Sequence, residues 1–108
     1  MEGEIAFFHL DGLVLGLWTR EHLAADACVP DGGGWGGTTL AKNFRTREAV
    51  DTAFAHALGA GATLLKEPVE ADWGGYSGYV ADPDGHPWEL AFNPSWPLDD
   101  HGSLVLPG

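Results

Sequence analysis

The sequence is poor in basic residues: Lys and Arg total five against sixteen Asp and Glu, a formal charge of −11. Such a chain repels phosphate backbones and anionic lipid surfaces, which argues against nucleic acid or a membrane as partner. Because the acids are scattered rather than blocked, they read as a solvated surface and not as a tail. Cysteine is almost absent. Cys28 stands alone, with no mate for an internal disulfide and no CxxC spacing for a metal, so it reads as a buried or incidental thiol in a reducing, cytoplasmic compartment. Long apolar runs are missing too. Leu13 to Trp18 is interrupted by Gly16 and falls far short of the ~18 residues a spanning helix needs. The N-terminus carries Glu2 and Glu4 where a secretory signal would carry a basic region and an apolar core, so no signal peptide is expected. P-loop, GxSxG, HExxH and dinucleotide fingerprints are all lacking.

What is present suits one soluble domain: 108 residues, 44% of them hydrophobic, enough to bury a core without disulfides or structural zinc. Two apolar runs, Glu4 to Leu10 and Leu13 to Trp18, flank Asp11-Gly12 and predict a β-hairpin. Thr19 caps a short helix running through Ala27, with Glu21 in its first turn and Pro30 ending it. The stretch DGGGWGG, residues 31–37, is either a plain connector or a mobile lid carrying Trp35. Thr38 to Phe44 is a strand candidate. Thr46 then caps a helix with Val50, Phe54, Ala57 and Leu58 on one face, closed by Gly59 and Gly61. Short strands follow at Thr63 to Leu65, ended by Pro68, at Tyr76 to Ala81 and at Pro87 to Asn93, with Asp82-Pro83-Asp84-Gly85 as the turn between the last two. From residue 38 the order is therefore β-α-β-β-β. The tail after Asn93 is irregular and expected to pack through Trp96.

The segment GGYSGYVADPDGHPWELAF, Gly74 to Phe92, resembles the C-terminal signature of the vicinal oxygen chelate superfamily, which contains glyoxalase I, bleomycin-resistance proteins and extradiol dioxygenases. The likeness is most specific at DPDGHPWEL and covers about 60 residues well. It implies an α+β fold in which βαβββ modules pair so that their curved sheets form an open cavity. Residues 1–30 look like the second half of a preceding module, 31–37 like a glycine-rich linker, 38–96 like a complete module and 97–108 like a tail. The first strand and helix of a two-module member have no counterpart here, either because this is a natural short form or because it is a truncated version of a longer protein. An edge so exposed pairs with another chain or aggregates, so a homodimer or swapped assembly is expected.

In metal-using members of that superfamily the ion is held by first-strand ligands and last-strand acids. Glu89 in HPWEL matches the last-strand acid, but Thr39 stands where such relatives usually carry His, and a hydroxyl is a weak ligand. The resemblance therefore implies a metal-free site, although a divalent metal completed by a partner chain, with a lyase or dioxygenase activity, is the alternative. His9 on the first hairpin strand is either an added ligand or a structural residue; His22, His56, His86 and His101 carry no spacing for ligation. Strand alternation puts Trp88, Leu90 and Phe92 on a helix-facing side and Pro87, Glu89 and Ala91 on the cavity side. A carboxylate there is costly unless paired, hydrated or protonated. Glu89 reads as a general base or anchor for a cation, or as a relic hydrogen-bonded to Thr39 and water. Thr39, Asn43, Trp35, Trp73, Tyr76 and Tyr79 are the candidate ligand-binding residues, the aromatics by stacking on a planar or cationic small molecule. A degenerate module with no ligand is the third reading.

Overall fold

The computed structural model describes residues 5–10, 12–32 and 34–104, with the His9 side chain outside the description. Asp11 of the hairpin turn also lies outside it. The first hairpin pairs β1 (Ala6–Leu10) with β2 (Leu13–Leu17) in antiparallel register, Ala6 opposite Leu17 and Leu10 opposite Leu13. Gly12 takes φ +78°, the backbone conformation that a residue with a Cβ adopts only at a cost.

Helix α1 (Arg20–Ala27) starts where expected, with Thr19 accepting the His22 amide at its N-terminus. It also ends at Ala27 as expected, but not by means of Pro30. Cys28 enters the left-handed region at φ 57°, and the Val29 amide donates to the Ala24 carbonyl, so the helix is closed two residues before Pro30. The Cys28 thiol is exposed, not buried.

The larger sheet combines β3 (Leu40–Phe44), β4 (Thr63–Glu70), β5 (Tyr76–Ala81) and β6 (Pro87–Phe92) in the order β3-β6-β5-β4. β3 runs parallel to β6, and the other pairs are antiparallel. Helix α2 (Arg47–Gly59), capped by Thr46, covers one face. Val50 and Phe54 are buried there with Val80 and Leu90, and Phe44, Tyr76, Trp88 and Phe92 pack around them. Gly78 makes this approach possible, because a Cβ at that position would lie 2.8 Å from the Phe54 ring and 2.6 Å from the Lys66 carbonyl oxygen.

β4 is longer than the sequence predicts. Pro68 lies inside the strand rather than ending it, which an edge strand tolerates because its free N–H row has no neighbour. Register shifts on either side of Lys66 absorb the irregularity. β3 begins at Leu40, two residues later than expected, and leaves Thr38 and Thr39 outside it. The DPDG turn forms as predicted: Asp82 accepts the Asp84 and His86 amides, and Gly85 takes φ +86°. In the tail, Trp96 meets Phe7 of the hairpin edge to face at 4.8 Å. Arg45 donates to the Leu98 and Asp99 carbonyls. Among the described residues no helix is long and apolar enough to cross a membrane.

Candidate functional site

The face of the larger sheet turned away from α2 carries Glu89 and Tyr79. Register places Ala41, Glu89, Tyr79 and Lys66 side by side in one row across all four strands. A second row, Asn43, Ala91, Ser77 and Val69, lies beside it. Glu89 is thus flanked on its own face by the small side chains of Ala41 and Ala91, which leave space above the carboxylate.

Helix α1 reaches the β4–β5 side of this face through side chains, and its Ala24 and Ala27 are buried. From it Asp26 accepts the Tyr79 hydroxyl at 2.6 Å, while Lys66 Nζ lies 3.4 Å from the Asp26 carbonyl oxygen and 3.7 Å from its carboxylate. Tyr79 is only 2% exposed. Burial pushes its phenol well above the ordinary range, and the negative charge of Glu89 and the bond to Asp26 add to the shift.

Glu89 is half-buried. Loss of water raises its carboxyl pKa to about 7, with Asp26 reinforcing the shift; the Ser77 hydroxyl and the Lys66 charge oppose it. The hydroxyl that favours the charged form is therefore Ser77, diagonal to Glu89 on β5, and not Thr39. Asp26 has both Tyr79 and Lys66 as partners, whereas among the described residues Glu89 has no cation within ion-pair distance. Beyond the bond from Ser77, its two oxygens have further acceptor capacity.

Of the residues picked from sequence, Glu89 and Tyr79 are brought together, and Asn43 sits on the same face one row away. Thr39 is half-buried just ahead of β3. The other aromatics lie elsewhere. Tyr76 is on the α2 face, donating to Asp51 at 2.6 Å with Arg47 5.4 Å above its ring. Trp73 is 56% exposed beside Gly75. Trp35 is fixed in its loop: Arg20 lies 4.8 Å from its ring centre, donates to its carbonyl at 2.7 Å and bonds Asp31 at 2.6 Å, while Trp35 Nε1 donates to the Thr38 carbonyl. These contacts favour a tethered connector over a free lid.

Sequence reading missed Asp26, Lys66 and Ser77. Asp26 and His22 stand four residues apart on α1, and His22 stacks on Trp18, whose half-buried indole N–H has no acceptor among the described residues. A shallow apolar pocket of about 290 Å³, lined by Ala57, Ala62, Val80, Pro83, Trp88 and Leu90, opens on the opposite, α2 side. It is remote from Glu89.

A metal was tested against this donor set. Among the described residues the group of three ligating side chains close enough to share an ion is Asp82, Asp84 and His86, in the exposed turn. There Asp82 is already committed to two backbone amides and to Trp88 Nε1. Around Glu89 there is no third ligating side chain, so the described residues do not fit a resident divalent ion. The His9 side chain lies outside the description.

Comparison with known proteins agrees with this architecture. Residues 3–90 match the model of the Glyoxalase/Bleomycin resistance protein/Dioxygenase superfamily. A glyoxalase-related enzyme from Fulvimarina pelagi superimposes with a TM-score of 0.65 at 39% identity, over 97% of this chain and 76% of that one. A glyoxalase/bleomycin resistance protein/dioxygenase family enzyme from Burkholderia phytofirmans gives 0.52 at 28%, over 73% and 63%. An uncharacterized protein of Mycobacterium bovis is 42% identical over 55 residues, 51% of this chain and 36% of its own length. The match thus spans about a third of that curated relative. The signature around Glu89, the βαβββ order from residue 40 to 92 and these matches together show that the chain belongs to the Glyoxalase/Bleomycin resistance protein/Dioxygenase superfamily.

Proposed function

We propose that the chain binds a small, cationic and planar molecule on the Glu89 face of its sheet, without a resident metal. The observation that carries this reading is the asymmetry between two acids: Asp26 is held by Tyr79 and Lys66, whereas Glu89 is half-buried, raised to about 7 and, among the described residues, without a cation in ion-pair distance. A carboxylate in that condition gains most from a ligand that brings the missing positive charge out of water with it. Below pH 7 the same group holds a proton and donates instead.

Small neighbours, Ala41, Ala91 and Ser77, leave a flat floor for a planar molecule, and the net charge of −11 steers cations toward it. Proteins of this superfamily share a fold across several activities, so the fold does not choose between sequestration and turnover. The donor set does favour binding. Glu89 is the residue through which a proton would be exchanged if the bound molecule also reacts.

Two measurements on one preparation test the reading. Plasma mass spectrometry of the protein purified without chelator should find no stoichiometric divalent metal, and ethidium, a planar cation, should quench the tryptophans of the same preparation after chelator treatment. Ethidium binding that appears only after zinc, nickel or manganese is restored would replace it with the metal-dependent alternative.

A further inference from the structure

Lys66 stands where strict alternation would not put it. With Leu64 paired to Val80, the next pair of an undisturbed antiparallel ladder would set Leu65 against Tyr79; the register shift between Leu64 and Lys66 sets Lys66 there instead. A bulge of this kind re-aims one side chain of a strand, and here it brings a cation into the row that holds Glu89. The lysine is then fastened: its Nζ lies 3.4 Å from the Asp26 carbonyl oxygen and 3.7 Å from the Asp26 carboxylate.

The neighbouring rows bring no further charge. On one side stand Asn43, Ala91, Ser77 and Val69, on the other Pro87, Ala81 and Thr63. Glu89 and Lys66 are therefore the charged side chains that the register places on this face, and α1 adds Asp26 through its bond from Tyr79. Two carboxylates against one ammonium leave a single uncompensated negative charge. The three act as a set, because the charges of Asp26 and Lys66 bear on the Glu89 carboxyl in opposite directions.

We propose that Lys66 sets the charge of the ligand, limiting the Glu89 face to molecules with one positive charge; this rests on the reading of that face as a cation site. A monocation over Glu89 completes the neutralisation of the face. A second positive charge finds no free acid, since Asp26 is engaged by Lys66 and Tyr79. It also meets the ammonium itself, because the backbones of Lys66 and Glu89 are two strand spacings, about 10 Å, apart, with little water between to screen the repulsion. Removing the ammonium while keeping the stem frees Asp26 and reverses the preference.

Ethidium and propidium test this, because they share one planar ring and propidium carries a second, quaternary ammonium charge on a side arm. Their affinities are compared by tryptophan quenching at pH 8 in the wild type, Lys66→Met, Lys66→Gln, Lys66→Arg and Lys42→Met. Lys42 pairs with Leu90 and so lies on the α2 side. The wild type should bind propidium no more tightly than ethidium. Lys66→Met and Lys66→Gln should each raise the propidium-to-ethidium affinity ratio about fivefold or more. Lys66→Arg, which keeps the charge, should retain the wild-type ratio, and Lys42→Met, which loses the same charge on the other face, should leave it within about twofold. Circular dichroism verifies that each variant is folded. A ratio that already favours propidium severalfold in the wild type, that the folded neutral variants leave unchanged, or that Lys66→Arg or Lys42→Met raises equally would overturn the assignment to Lys66 while the cation site stands. A wild type that binds neither dye would remove the cation site and this proposal with it.

Discussion

Glu89 and Tyr79 sit directly opposite each other on β6 and β5; the Tyr79 hydroxyl donates to Asp26, while no ion pair to Glu89 is found among the described residues. The phenol is buried as a satisfied donor. The carboxylate beside it bears the cost of the same low-water environment, offset only in part by the Ser77 hydroxyl and the Lys66 charge.

The stability of the protein should therefore fall as Glu89 ionises. A carboxyl with a folded pKa of about 7 and an ordinary value of 4.5 holds more protons in the folded than in the unfolded chain between those two pH values. Stability accordingly declines from about pH 4.5 to about pH 7 and is flat beyond, on account of this group. The ceiling is about 3 kcal/mol, reduced by the solvent that a half-buried group retains. Glu89→Gln should match the wild type near pH 4.5 and exceed it by roughly 1–3 kcal/mol at pH 8 in urea titrations. Equal stability at both pH values would remove the buried-carboxylate picture.

Tyr79→Phe keeps the ring and deletes the hydroxyl given to Asp26 at 2.6 Å. The expected loss is about 1.5–3 kcal/mol, the range for a hydrogen bond to a charged acceptor. Exchange protection should fall first in α1, which the bond ties to the sheet. Both tyrosines are raised, Tyr79 by burial and Tyr76 chiefly by its bond to Asp51. Alkaline titration at 295 nm should show phenolate only above the usual pH of about 10; a normal titration of either ring would contradict its bond.

Gly78→Ala tests the packing that sets the opposite face. The added methyl meets the Phe54 ring and a backbone carbonyl, neither of which can rotate away cheaply. A loss of about 1–3 kcal/mol by thermal unfolding is expected.

Arg20→Met removes the contacts to Asp31 and Trp35 from a pair that is nearly half exposed. Global stability should change by less than about 1 kcal/mol, while proteolysis within residues 31–37 should speed up severalfold. Unaltered cleavage would mean that the loop is held by something else.

The parts of the fold governed by local chemistry were legible in the sequence. Thr19 and Thr46 have the side-chain oxygen a helix start needs, Asp82 and Gly85 specify their turn, and PWELAF alternates cleanly enough to assign Glu89 a face. Pro68 misled because a proline ends a central strand but not an edge strand, and nothing local says which β4 is. Tyr76 and Tyr79 stand three apart in one strand and so point to opposite faces, which the alternation alone separates. Asp26 was out of reach. It meets Tyr79 across 53 residues of chain, and only the packing of α1 over the sheet brings the two together.

Isothermal titration of chelator-treated wild type and Glu89→Gln with ethidium, at pH 5.5 and pH 8, asks whether Glu89 receives a cation without help from a metal. Wild-type affinity should rise at least tenfold between those pH values with a midpoint near 7, and Glu89→Gln should bind weakly and equally at both. Binding that ignores pH and survives Glu89→Gln would contradict the account.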